Sequence, residues 1–172
     1  MKVSHLATFA LGCMPACSGL SNAKVASEVN ALMAALESNK ATFDRYRGDF
    51  LSTLSATRAL YHIHSAMLKT KNALSDMPAV APEELDEWDE LMREDLSPRV
   101  VGMVDSVSSS APFVEQTGYM TAAFAFVQVF GQEKDKLKEV VLGKMPQDNA
   151  TAVHERFADV DLAFERLKAA YA

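Results

Sequence analysis

The side chains able to do chemistry are scattered rather than assembled in this sequence. His62 and His64 stand two residues apart, which on a helix turns them to different faces and prevents them from chelating one ion, and His154 stands alone. A di-iron bundle needs Glu followed three residues later by His on two helices, and no such pair occurs. Covalent haem needs two cysteines with an adjoining histidine; Cys13 and Cys17 have none beside them. No serine sits in the glycine elbow that exposes a hydrolase nucleophile. Eight carboxylates crowd positions 83 to 95, without the alternating Asp and central Gly of a calcium loop, so they read as a solvated helix face. The residues therefore predict no catalytic centre, no bound metal and no cofactor.

Composition narrows the partners. The net charge of −6 and the lack of any basic stripe argue against nucleic acid, whose phosphates require clustered Lys and Arg. The 172 residues suit one globular domain, and 49% apolar with 23% charged residues fits an ordinary globular protein and excludes disorder. Residues 1–21 read as a secretory signal peptide: Lys2, then an uncharged apolar run through Leu6, Phe9 and Leu11, with small residues before a cut after Ser18 or Ser21. Cleavage would remove both cysteines and leave residues 22–172 as a single domain without a disulfide. Asn149-Ala150-Thr151 is a glycosylation acceptor that a secreted chain would expose.

The elements expected to carry these groups are helical throughout. Val25, Val29, Leu32, Leu36 and Phe43 form the stripe of a first helix from about Lys24 to Arg47, stopped by Gly48. A second helix is predicted from Asp49 to about Asp76, ended by the prolines of MPAVAP. The acidic third helix continues past Pro98 with a kink, because its apolar stripe resumes at Val100, Val101 and Val104. A fourth runs from about Ala111 to Leu142, with Gly118 and Gly131 as points of bending. The last spans roughly Asp148 to Tyr171 with Val153, Phe157, Val160, Phe164, Leu167 and Tyr171 at alternating spacings of four and three. Within the fourth, Tyr119 to Phe130 (YMTAAFAFVQVF) is apolar all round the helical wheel and too short to cross a bilayer, which predicts a helix wrapped by the others. The fold class is all-α: an antiparallel bundle of four to five helices with a buried apolar fourth helix. Its phenylalanines and methionines suit either a solid core or the wall of an apolar pocket.

In MPAVAP, the acidic helix after it, SPRVVGMVDSVSSSAPF and the closing LKAAYA, the chain resembles the fungal hydrophobic surface-binding protein A family, which includes lipid-binding domains of cell-wall galactomannoproteins. The resemblance covers about residues 23 to 172. It implies a small, secreted or wall-associated, non-enzymatic helical protein that adsorbs to hydrophobic surfaces or holds fatty acids and other lipids between its helices. The wall candidates on the second, fourth and last helices are then Leu60, Tyr61, Met67, Phe113, Met120, Phe124, Val127, Phe157 and Phe164, with Tyr61 or Tyr119 holding a carboxylate head. The alternative is a solid secreted bundle acting through its exterior at a host or cell-wall surface, or recruiting a secreted enzyme there.

Overall fold

The computed structural model describes Leu20 and residues 22–172, so the expected leader at 1–21 lies outside the described residues apart from Leu20. Asn22 caps α1 (Ala23–Asp44) by accepting from the backbone N–H groups of Lys24 and Val25 at 3.1 and 3.2 Å. The chain turns through Gly48, whose φ of 77° suits glycine, and Asp49 then caps α2 (Phe50–Asp76) by accepting from Ser52 N–H at 2.9 Å. The Pro78 to Pro82 loop leads to α3 (Leu85–Glu90), a wide π turn over Leu91–Leu96, and α4 (Ser97–Ser109). The π turn explains how the helix passes Pro98 without stopping. A proline has no N–H to give and its ring crowds the preceding turn, and a widened turn relieves both.

A short α5 (Ala111–Thr117) ends on Gly118 with φ 74°, so the expected fourth helix breaks there but runs unbroken through Gly131 as α6 (Met120–Lys144). A 3-10 turn over Gln147–Asn149, α7 (Ala150–Arg156) and α8 (Ala158–Tyr171) complete the chain; the expected last helix is thus divided at Phe157. Among the described residues there is no strand.

The five long walls close in a ring. α1 packs on α2, α2 on α6, α6 on α8, α8 on α4, and α4 back on α1. Neighbouring walls are antiparallel at α1/α2 and α6/α8 and parallel at α2/α6, α8/α4 and α4/α1. Lys24 meets Asp76 while Asn39 meets His62, as antiparallel α1 and α2 require; Tyr61 meets Phe126 while Lys71 meets Glu133, as parallel α2 and α6 require. The side chains of this five-helix ring do not fill its axis.

One expectation needs correction. The stretch Tyr119 to Phe130 is a wall of the ring, not a helix wrapped on every side. Val127 and Phe130 are buried, but Ala122 and Ala125 are exposed, as are Val129 at 44% and Tyr119 at 58%. Its apolar circumference serves two faces: one inward, and one on the outside of the α2/α6 seam.

Candidate functional site

The inward stripes surround an elongated cavity of about 360 Å³, within the size range of ligand sites. α1 contributes Leu32, Leu36 and Phe43; α2 contributes Ala56, Leu60, Ile63 and Met67; α4 contributes Val100, Met103, Val104 and Val107. From α6 come Ala123, Val127, Phe130 and Leu137, and from α8 Val160, Phe164 and Leu167. Between Thr53 and Met67 the lining follows α2 for about 21 Å at 1.5 Å per residue, so the space is long and narrow. A solid core does not describe this interior.

Of the expected wall residues, Leu60, Met67, Val127, Phe157 and Phe164 line the cavity and Tyr119 stands at its rim. Tyr61, Phe113, Met120 and Phe124 do not line it. Tyr61 is 62% exposed and sets its ring edge-on to Phe126, with centroids 6.2 Å apart, on the outside of the seam. Phe113 carries Arg47 over its ring, while Met120 and Phe124 are half-buried against the core. The expectation also confined the walls to three helices, whereas α1 and α4 contribute as fully. The α4 stripe was visible as a valine and methionine run; what it faced depends on closure of the ring, which no local spacing reveals.

The polar groups concentrate at the end where α2 and α6 begin and α1, α4 and α8 finish. There Tyr46 and Thr53 share a hydrogen bond of 3.1 Å between their hydroxyls. Ser110 donates to the Val107 carbonyl at 2.7 Å, and the Tyr171 hydroxyl lies 2.9 Å from that carbonyl and 3.0 Å from Ser110 Oγ. Burial pushes the Tyr171 phenol above its ordinary pKa, partly opposed by the Ser110 hydrogen bond. Thr57 donates to the Thr53 carbonyl, and Ser97 to that of Arg156.

Lys134 is the charged residue of the lining, occupying the inward position between Phe130 and Leu137. Its ammonium is ion-paired to Asp161 and to Asp135, and it lies over the Phe164 ring at 5.6 Å. Burial opposes its charge, but the hydrogen bonds to the two carboxylates prevail and hold it above the usual lysine range. Asp161 also accepts from Lys138 at 2.6 Å. In the sequence Lys134 belongs to the charged segment GQEKDKLKE, yet it falls on the alternating four and three spacing of Ala123, Val127, Phe130, Leu137 and Val141, a signal that marks it as facing inward.

The lining is least covered along the α2/α6 seam, where Tyr119 and Ala122 are exposed and Thr53, Thr57 and Phe126 half-buried. Leu60, Ala122, Phe126 and Phe130 line both the cavity and a shallow outer groove that also includes Tyr61, His64 and Val129, so one layer of side chains separates the two. This half of the seam is held by aromatic edges, Tyr61 on Phe126 and His64 on Phe130. The other half is stitched by polar bonds: Lys71 to Glu133 at 2.6 Å, and Lys144 Nζ to the carbonyls of Ser75 and Met77 at 2.9 and 2.6 Å. The backbone N–H of Val80 adds a bond to the Lys144 carbonyl at 2.7 Å.

The other candidate chemistry does not assemble. His62 bonds Asn39 on α1 at 3.0 Å, His64 lies on Phe130, and among the described residues no group of three His, Cys, Asp or Glu side chains is placed to hold a metal ion. Of the acidic run, Asp89 pairs with Arg156 and Asp95 with Arg99, each at 2.7 Å. No described helix is long and apolar enough to cross a membrane.

No protein-family model matches the sequence, and no curated protein matches it. Solved structures do resemble the fold. AFMP4P in complex with palmitic acid superposes with a TM-score of 0.80 over 88% of this chain and 99% of its own, at 16% identity. Ligand-binding domain 2 of the Penicillium marneffei MP1 protein, complexed with multiple arachidonic acids, gives 0.76 over 85% and 92%, also at 16% identity. Ligand-binding domain 1 of that protein, complexed with arachidonic acids, gives 0.76 over 85% and 95%, again at 16%. At such identity the likeness establishes the all-α fold.

Proposed function

We propose that this protein is a secreted, non-enzymatic lipid carrier that holds a long-chain lipid, of the fatty-acid class or related to it, along the axis of its five-helix ring. The observation that carries this reading is the elongated apolar cavity of about 360 Å³, walled by all five long helices. Burial of an acyl chain stabilises the complex by about 0.8 kcal/mol per methylene, so a lining with few polar groups is enough for affinity. The solved structures of similar fold hold palmitic and arachidonic acids, which supports the same use of the fold here. Membership of the hydrophobic surface-binding protein A group fits this reading, as do the leader at 1–21 and a glycan on Asn149. The lipid passes through the α2/α6 seam at Leu60 and Phe126. Delipidated protein titrated with long-chain lipids should bind them saturably; a protein that binds none and yields no extractable lipid would refute the carrier.

A second reading rests on a separate observation. Phe50 and Leu51, at the start of α2, are 80% and 71% exposed, and Tyr119, just before α6, is 58% exposed. These side chains suit adsorption to a hydrophobic surface, and Phe50→Ser with Leu51→Ser should abolish adsorption while leaving lipid binding in solution intact.

A further inference from the structure

The cavity takes up only part of the length of the bundle and stops against packed side chains. Its lining follows α2 from Thr53 to Met67 and α8 from Phe157, at its start, to Tyr171, each a run of about 21 Å at 1.5 Å per residue. Beyond it Val25, Val29, Leu74, Trp88 and Val141 are at most 4% exposed, and none of them lines the cavity. The last lining residues before that packed layer are Met92 in the π turn, Leu137 on α6 and Phe157, all three buried. Lys138 lies over the Phe157 ring at 5.6 Å and is itself held by Asp161 at 2.6 Å. Towards the other end of α6, Tyr119 and Ala122 are exposed. The space is thus stopped at one end and less covered towards the other.

A methylene added to a lipid inside the cavity gains burial, whereas one added after the stop must displace close-packed side chains or stay outside in water. An extended chain advances roughly 1.2 Å per bond, since the three backbone bonds of an extended residue span at most about 3.6 Å. About 21 Å therefore holds roughly seventeen bonds. We propose that the cavity measures a single unbranched chain of up to about eighteen carbons, and that Met92, Leu137 and Phe157 form the stop. The proposal rests on the carrier reading and holds for any head group, because the walls alone set the length.

The test is a series of saturated unbranched fatty acids titrated into the delipidated full chain and read by displacement of a fluorescent fatty-acid analogue. Across about ten to about twenty-two carbons, affinity is expected to rise by roughly fourfold per added methylene, the scale of its burial, and to stop rising near about eighteen. Met92→Ala opens the stop and should move that break to chains longer by about two to three carbons, and Leu137→Phe fills it and should move the break to shorter chains by about as much. Ile63→Val, in the middle of the α2 wall, should leave the break in place. Circular dichroism checks the fold of each variant, and if one of the two end variants fails to fold, the other decides. Affinity that climbs through the whole series without a break overturns the stop while upholding the carrier, as does a break that stays fixed in the end variants or moves equally in Ile63→Val. Failure of every chain to bind overturns the carrier reading itself.

Discussion

Lys134 on α6 and Asp161 on α8 join two walls of the cavity with an ion pair, its lysine side chain only 12% exposed and its carboxylate shared with Lys138. The pair neutralises the one cation that an acidic ligand would meet inside. Asp161→Asn should therefore leave Lys134 less fully paired and raise hexadecanoate affinity by roughly tenfold, the scale of a charged hydrogen bond, with little change for uncharged methyl hexadecanoate. Competition binding on the variant checks both arms.

The same pair sets an acid limit on stability. Burial pushes the Asp161 carboxyl up, but hydrogen bonds from Lys134 and Lys138 outweigh it; Lys136 and then Lys71 depress Glu133 likewise. A carboxylate with a depressed folded pKa contributes fully above its ordinary range and loses that contribution as pH falls through the folded value. Urea midpoints should accordingly be flat near neutrality and fall below about pH 4. Glu133→Gln should reduce the stability at pH 7 and flatten that fall.

Phe126 is placed to gate the seam. Phe126→Ala removes the ring that meets Tyr61 and opens the layer shared by cavity and groove. Association and dissociation of a lipid should both accelerate, by roughly tenfold for about 1.4 kcal/mol of barrier, with the equilibrium constant changing less than either rate. Stopped-flow fluorescence with a fatty-acid analogue separates this from simple loss of a wall contact, which would raise the dissociation rate alone.

The two left-handed glycines should differ in cost. At Gly118 an added Cβ meets nothing within 4 Å, so Gly118→Ala carries only backbone strain of about 1–2 kcal/mol. At Gly48 the Cβ would also lie 3.0 Å from Thr117 Cγ2 and 3.1 Å from the Phe113 carbonyl, where α5 crosses the α1/α2 turn. Gly48→Ala should be the more destabilising, as chemical denaturation of the pair would show.

How far these features were legible in the sequence depends on their range. The stripe Val25, Val29, Leu32, Leu36 and Phe43 and the C-terminal Phe157 to Tyr171 spacing are local, and both faces are buried as expected. The passage through Pro98 was also legible, because the valine stripe resumes beyond it. The placement of Tyr119 to Phe130 was not. An all-round apolar helix buried within a bundle and one that lines a cavity while presenting an apolar outer seam have the same local pattern, and only the fivefold closure separates them. For the same reason the spacing of α2 assigns Tyr61, which lies on its outer face, to the wall, and does not single out Tyr46, Thr53, Ser110 or Tyr171. Those four come from four separate segments and meet only at the end where three of the long helices finish and two begin.

Native mass spectrometry of the purified protein before and after delipidation tests most directly whether the axial cavity is a lipid site. The carrier account predicts a lipid-sized mass that leaves on delipidation and returns, one chain per protein, when lipid is added, and that is lost when Val127→Trp fills the cavity without unfolding the bundle. A protein that never carries such a mass, or one that keeps it unchanged with the cavity filled, would contradict it.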